Sequence, residues 1–415
     1  MSRRSILFLC QTLPYPPDGG VWIRTYNLLR VLARHFDVTM FCFERALSPG
    51  DGYAADPRAS LEALGELGPV EAFAIPQRHS RVRFAADHLR SLLTGRVFTH
   101  YLYDSAAMRA RVRQAMGSGA FDLVHVDSLD LSAYLPLFQG LPVACTHHNV
   151  ESALLDRRAR ADRSPAVRRY AAHQARLMEA TEREWCARVA LNVVVSEVDA
   201  EALRCLAPQG RYVVVPNGVD VHAFRPGAEQ PGGGLVFTGG ANWFPNRDAL
   251  EHFCRDTLPI LRRKRPDLRV TWVGAARDED RRRYRQEHGV ELTGYVDDIR
   301  PFVHAAECFI VPLRLGGGSR LKILDAWALG KAVVSTSVGC EGLAAEDGHN
   351  IRVADGGPAF AAAIESVLDD AGLRARLGQA ARATVERSYA WEIVGGRLVE
   401  AYDEMLDGAS KVATV

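Results

Sequence analysis

No run in the 415 residues approaches the ~18 consecutive apolar side chains that a membrane span requires. The opening ILFLC is too short for the core of an export signal, and it leads into QTLPYPPDGG without a small-residue cleavage pattern. A cytoplasmic protein is therefore expected, with peripheral contact at the inner face of a membrane left open. Neither sign of charge is in surplus: 51 Lys and Arg stand against 50 Asp and Glu, a formal net charge of +1. No broad field gathers nucleic acid, so any phosphate must be held by local groups. The eight cysteines are scattered, with no C-x-x-C pair and no histidine at metal-ligand spacing. Most lie in apolar runs such as SILFLC and ECFIVP, so buried free thiols are expected and a metal site is not. Lysine is scarce, occurring only at 264, 322, 331 and 411. No G-x-G-x-x-G follows SILFLC, which removes the dinucleotide oxidoreductases.

What is present is an alternation. Short aliphatic and β-branched runs (SILFLC, DVTMFCF, VEAFAI, FDLVHV, LPVACT, VALNVVV) are separated by longer helical patterns, and RYVVV, GLVFTG, RVTWVG, VELTG, ECFIVP, KAVVST and NIRV repeat the rhythm. Such an order predicts an α/β protein of parallel βαβ units, and this length predicts two domains built from them. The Pro- and Gly-rich stretch from Pro216 to Gly234 interrupts every periodic pattern and marks the boundary. The expected organisation is a first Rossmann-like domain over 1–215, a second over 216–390, a closing helix over 391–407 that could return to the first domain, and a tail over 408–415. Six arginines from Arg157 to Arg169 form a basic stretch, read either as a solvated helix face or as contact with an anionic membrane surface.

The most informative segment is FIVPLRLGGGSRLKILDAWALGKAVVST. It predicts a strand over Phe309–Leu313, a turn at Gly316, Gly317 and Gly318, a helix from about Arg320 to Leu329 capped by Ser319, and a stop at Gly330. Unpaired N–H groups and the positive dipole end at a helix start favour phosphate, and Arg320 and Lys322 would add cations. Leu321, Leu324 and Ala328 are the expected core-facing stripe. Asp325, one turn past Lys322, is read as a ribose ligand, with a surface pair to Lys322 as the alternative.

Taken in order, VVPNGVDVHAF, LVFTGGANWFPNRDAL, TWVGAA, LTGYVDDIRP, VPLRLGGGSRLKILDAWALGKAVVST and SYAWE resemble the retaining GT-B glycosyltransferases, and the resemblance extends over essentially the whole chain. It lies nearest a branch of exopolysaccharide sugar transferases. The resemblance implies two Rossmann-like, doubly wound parallel-sheet domains facing across a cleft. In that family two acids separated by seven residues span the glycine turn and helix. Asp325 matches the second, while Gly317 occupies the first position and departs from the pattern. The family's usual Arg and Lys after the first strand of the second domain are replaced by GGANWFPNRDAL. Arg320 and Lys322 would then supply the charge, with Gly239, Gly240 and Asn242 beside the donor, Leu321 in its pocket, and Trp243 and Asn246 structural. Backbone near Tyr295 and Val296 would meet the base, and Asp297 with Asp298 is an ordinary turn pair.

In the first half, PYPPDGG resembles the family's opening glycine loop, which implies that Gly19 and Gly20 border the donor phosphate and the acceptor in the cleft. CTHHNVES puts His147 and His148 where that family carries a histidine near the sugar, which implies such a role, His148 being favoured, with Asn149 and Glu151 as acceptor-side candidates. The implied reaction transfers a hexosyl group with retention from a nucleotide diphosphate sugar, UDP- or GDP-linked, to a glycan, lipid-linked or small-molecule hydroxyl. No metal and no further cofactor is implied, and His148, Arg320 and Lys322 are the expected catalytic residues. A GT-B epimerase or phosphorylase, or a silent nucleotide-sugar-binding subunit, would use the same framework.

Overall fold

A computed structural model describes residues 3–44, 57–77, 80–162, 164–227, 233–315 and 320–412. The chain divides into two compact units, one formed by Met1–Pro216 with Gly395–Val415 and the other by Asn217–Val394.

Among the described residues the first unit has seven strands: β1 (Ser5–Cys10), β2 (Asp37–Phe43), β3 (Val70–Phe73), β4 (Leu123–Val126), β5 (Val143–His147), β6 (Leu191–Val194) and β7 (Tyr212–Val214). They pair in parallel in the order β3-β2-β1-β4-β5-β6-β7. The second unit has β8 (Leu235–Thr238), β9 (Val270–Val273), β10 (Glu291–Leu292), β11 (Cys308–Val311), β12 (Val333–Ser335) and β13 (Arg352–Val353), also parallel, in the order β10-β9-β8-β11-β12-β13. Their central strands are predominantly aliphatic, and β4, β8 and β11 are buried along their whole length. In the first sheet the polar exceptions His125, Thr146, His147 and Asn192 are buried with hydrogen-bond partners among themselves. In each sheet the order reverses at one place, between β1 and β4 in the first and between β8 and β11 in the second. The crevice outside the strands' carboxyl ends at such a reversal is where open α/β sheets bind ligands.

Seven of the helices carry side chains that shape the sites, the core or the surface: α1 (Gly20–His35), α2 (Arg81–Thr94), α3 (Glu151–Ala161), α4 (Pro165–Cys186), α5 (Phe244–His252), α6 (Leu321–Ala328) and α7 (Trp391–Val412). The arginine stretch from 157 to 169 is split between α3 and α4, since Pro165 suits only the first turn of a helix and starts a new one. Seven cysteines are buried free thiols and Cys205 is exposed.

Helix α6 is shorter than expected, with Arg320 rather than Ser319 at its cap position. The buried face is Ile323, Leu324, Ala326, Trp327 and Ala328, whereas Leu321, expected in the stripe, is half-buried. Trp327 demands the wider face, because its large ring is wholly enclosed.

Candidate active site

In the second unit the carboxyl end of β8 runs into Gly239 and Gly240 as the chain turns toward α5. Gly239 has φ +141°, and a Cβ there would lie 2.7 Å from Asn246 Nδ2 and 2.9 Å from Lys322 Nζ. Gly274, at the end of neighbouring β9, also has φ +141°, and its Cβ would stand 2.7 Å from Gly239 C and Gly240 N. Both positions exclude side chains because backbone and polar groups converge there.

Lys322 reaches this point from α6. Its Nζ donates to Asn246 Oδ1 at 3.0 Å and lies 3.9 Å from the centre of the Phe237 ring, which stacks on Trp272 at 3.8 Å between ring centres. Asn246 donates to the Gly240 carbonyl at 3.0 Å, and Trp272 Nε1 to the Gly239 carbonyl at 3.1 Å. The amide of Asn246 is thus fixed with its oxygen toward the lysine. Desolvation, reinforced by the neighbouring Arg320 charge, brings the Lys322 ammonium down to about 7. A cation held by one amide and a ring face, with no carboxylate to neutralise it among the described residues, is suited to an anionic ligand. Asn246, read from the sequence as structural, is the group that aims it.

Asp325 is half-buried and makes no side-chain hydrogen bond to a described residue. Burial pushes its carboxyl up to about 7. The alternative pairing with Lys322 is not formed, since Lys322 turns to Asn246. Arg320 differs from the expectation of a ligand-facing cation. It is buried, with Nε and Nη2 donating to the Val338 carbonyl at 3.3 and 3.1 Å, so it braces the start of α6 while adding charge beside Lys322. The loop after β11 is tied to α5 by Arg314, whose Nη2 lies 2.6 Å from Asp248 Oδ1. Asn242 and Tyr295 are exposed and Val296 is half-buried against the core. Asp298 accepts from the backbone and guanidinium of Arg300, which holds its carboxyl below the usual range. Gly316, Gly317, Gly318 and Ser319 lie outside the described residues.

The first unit has its own cluster at the carboxyl ends of the paired strands β4 and β5. Asp127 accepts from Thr25 Oγ1 at 2.8 Å, and His148 Nε2 lies 3.4 Å from Asp127 Oδ1. Glu151, at the start of α3, accepts from Asn149 Nδ2 at 3.3 Å. Burial and then the nearby Asp130 push the Glu151 carboxyl well above its usual range, which favours the protonated form that donates a hydrogen bond to a sugar oxygen. Gly19 is half-buried and Gly20 exposed at the start of α1, whose Thr25 joins the cluster. His147 does not join it. The ring sits in the core, bonded through Nε2 to Asn192 Oδ1 at 2.9 Å, and burial lowers it to about 4, so its expected place by the acceptor is corrected to a packing role. Asp127 and Asp130 were not singled out in the sequence. The signal available was an acid directly after a buried apolar strand in VHVDSLD.

Two parallel-sheet units, each gathering polar side chains beyond the carboxyl ends of its strands, constitute the GT-B architecture. Residues 18–223 match the model described as Glycosyltransferase Family 4, and residues 233–370 the model described as Glycosyl transferases group 1. A D-inositol 3-phosphate glycosyltransferase of Paenarthrobacter aurescens is 26% identical over 339 residues, covering 72% of this chain and 76% of its own. Sucrose-phosphate synthase from Thermosynechococcus elongatus shares the fold with a TM-score of 0.69 at 16% identity, over 98% of this chain and 100% of that one. Anabaena HepE, solved in complex with UDP, does so with a TM-score of 0.67 at 15% identity, over 96% and 100%. The chain is a GT-B glycosyltransferase.

Proposed function

We propose that the protein transfers a hexosyl group from a nucleotide diphosphate sugar, UDP- or GDP-linked, to a hydroxyl acceptor with retention of anomeric configuration, in polysaccharide or glycolipid assembly. The observation that carries this reading is Lys322, aimed by Asn246 and set over Phe237 beside Gly239 and Gly240, with Asp325 one turn further along α6. Anabaena HepE, of the same fold, has been solved with UDP-glucose as well as UDP. Lys322 receives the diphosphate and Asp325 the ribose hydroxyls. As the bond from the anomeric carbon to the β-phosphate oxygen breaks, the acceptor oxygen bonds to that carbon from the same face, and its proton passes to the departing phosphate. No protein nucleophile takes part. Lys322 stabilises the growing phosphate charge, with Arg320 adding to the local potential, in a partly desolvated site where such contacts are strongest. His148 and Glu151 hydrogen-bond sugar hydroxyls in the first unit.

Incubation with UDP-, GDP-, ADP- and TDP-sugars, with and without glycan or lipid acceptors, tests this. The expected result is acceptor-dependent release of one nucleoside diphosphate, unaffected by EDTA, and an α-linked product from an α-linked donor by NMR. Inversion at the anomeric carbon would refute retention, and no consumption of any donor would refute the nucleotide-sugar assignment.

A further inference from the structure

Helix α2 is built inside out. The residues it buries are polar: Asp87 is 2% exposed and Ser91 0%. Asp87 accepts from Gln77 Nε2 at 2.6 Å and from Arg83 Nε at 3.3 Å, while Ser91 donates to the Arg96 carbonyl and accepts from Gln174 Nε2 of α4 at 2.9 Å. The residues it presents to solvent are apolar: Val82 is 80% exposed, Leu93 77%, Leu89 56% and Leu92 51%. With exposed Ala85 and Ala86 they follow the spacing i, i+3, i+4, i+7, i+10, i+11, which places all six along one face of a helix. Scattered exposed leucines are ordinary, but a continuous apolar stripe marks an interaction surface.

The surrounding charge states what would cover it. From Arg81 to Arg96 the helix and its end carry four arginines, and the single carboxylate, Asp87, is buried on the opposite face. Arg81 and Arg96 are exposed and form no ion pair with a described residue. Helix α4 packs beside α2 through Gln174 and through Tyr170, whose hydroxyl bonds His88. Immediately before Tyr170 stand the exposed Arg168 and Arg169. Apolar side chains flanked by arginines, with no exposed acid between Arg81 and Arg96, fit the boundary between lipid tails and anionic headgroups. Among the described residues no helix is long and apolar enough to cross a membrane, so a helix with this pattern would lie on the surface.

We propose that the outward stripe of α2, with Arg81, Arg96, Arg168 and Arg169, is a docking face for an anionic lipid bilayer. The basic contact expected from the sequence across Arg157 to Arg169 is thereby moved: the stripe on α2 supplies the insertion, and Arg160 is already paired to Asp156 at 2.6 Å. This inference is independent of the donor reading.

Co-sedimentation of the full-length protein with vesicles tests it. Binding is expected to phosphatidylcholine vesicles containing phosphatidylglycerol and to fall with added salt. Replacing Leu89, Leu92 and Leu93 together by Asp should weaken it by on the order of a thousandfold, since each of the three leucines withdrawn from water is worth about tenfold. Circular dichroism should remain that of the folded wild type with only a small loss of thermal stability, because the leucines are exposed but acids disfavour the last turn of a helix. As a second measurement, an environment-sensitive fluorophore on Leu93→Cys should shift blue only with the anionic vesicles. No binding by the wild type, equal binding by the triple variant, or an unshifted label would each overturn the proposal. So would a wild-type dimer in sedimentation velocity that the triple variant converts to monomer, because the stripe would then be a protein contact.

Discussion

Lys322 and Asp325 share one turn of α6, and burial displaces both toward the same value, the ammonium down to about 7 and the carboxyl up to about 7. The signs are opposite in consequence. Diphosphate binding needs the lysine charged, so that contribution is present below about 7 and fades as pH rises. Ribose binding needs the carboxylate, so that contribution is lost as pH falls below about 7. The expected kcat/KM profile is a narrow bell centred near neutrality. Lys322→Arg, whose guanidinium stays charged, should extend the alkaline limb, and Asp325→Asn should extend the acid limb at reduced affinity. A flat profile for the wild type from pH 6 to 8 would show that neither group titrates near neutrality, and the donor-site assignment would then rest on the substitutions alone. Lys322→Ala should lower turnover by ~10²–10³, the usual loss for one contact to developing charge. Asn246→Ala should reproduce part of that loss, because the lysine would retain its charge but lose the amide that aims it. The scarcity of lysine made Lys322 legible in the sequence. Asn246 was not legible as its partner, since the two are 76 residues apart and only the pairing of β8 with β11 brings their helices together.

The alternation of buried apolar strands and helices is what a sequence expresses most directly, because a parallel strand covered on both faces is nearly continuous in aliphatic side chains. That is why β1, β2, β5, β6, β8 and β11 could be read off with little error. The two-residue strands β10 and β13 carry too little pattern to be bounded. Helix α2 shows a different limit: its periodicity is that of any amphipathic helix, and which face turns inward depends on Gln77 and Gln174, distant residues that satisfy Asp87 and Ser91. The ends of β8 and β9 give the sharpest prediction at this scale. Gly274→Ala places a methyl 2.7 Å from the Gly239–Gly240 peptide, and backbone cannot move aside as a side chain can. The substitution should destabilise the second unit by about 1–3 kcal/mol and weaken nucleotide binding with it. Gly289→Ala is the control. That residue also has positive φ, at +53°, but ends a helix, with its nearest neighbour the guanidinium of Arg262, so it should lose stability while keeping nucleotide affinity. Isothermal titration with UDP separates the two outcomes.

The chain passes from the first unit to the second at Pro216–Asn217 and returns within α7 at Val394–Gly395. Within the second unit the segments at these passages run side by side, Val219 N bonding the Tyr389 carbonyl at 2.8 Å, and Gly218 lies so close to the Trp391 ring that a Cβ would stand 2.7 Å from it. The remainder of α7 completes the first unit. Tyr402 is fully buried, bonds His125 Nδ1 through its hydroxyl and meets Phe36 edge-on at 5.9 Å between ring centres. Near it Gly395 leaves room for Val31, and Arg4 reaches Asp403 at 3.2 Å. A helix at the far end of the chain thus supplies core to the strands at its beginning. Because every one of these contacts falls on the first unit, Tyr402→Ala should cost that unit about 3–5 kcal/mol, the range for emptying a buried aromatic site. Tyr402→Phe should cost less, about 1–3 kcal/mol, by leaving His125 Nδ1 unbonded in a buried setting while Nε2 keeps Thr146 at 3.0 Å. Hydrogen exchange reads the location. Amides of β1 and β4 should exchange faster in Tyr402→Ala, while those of β8 and β11 keep their wild-type protection. Equal acceleration in both sheets would mean that the two units unfold as one, and that the division of the chain at Gly395 does not divide its stability.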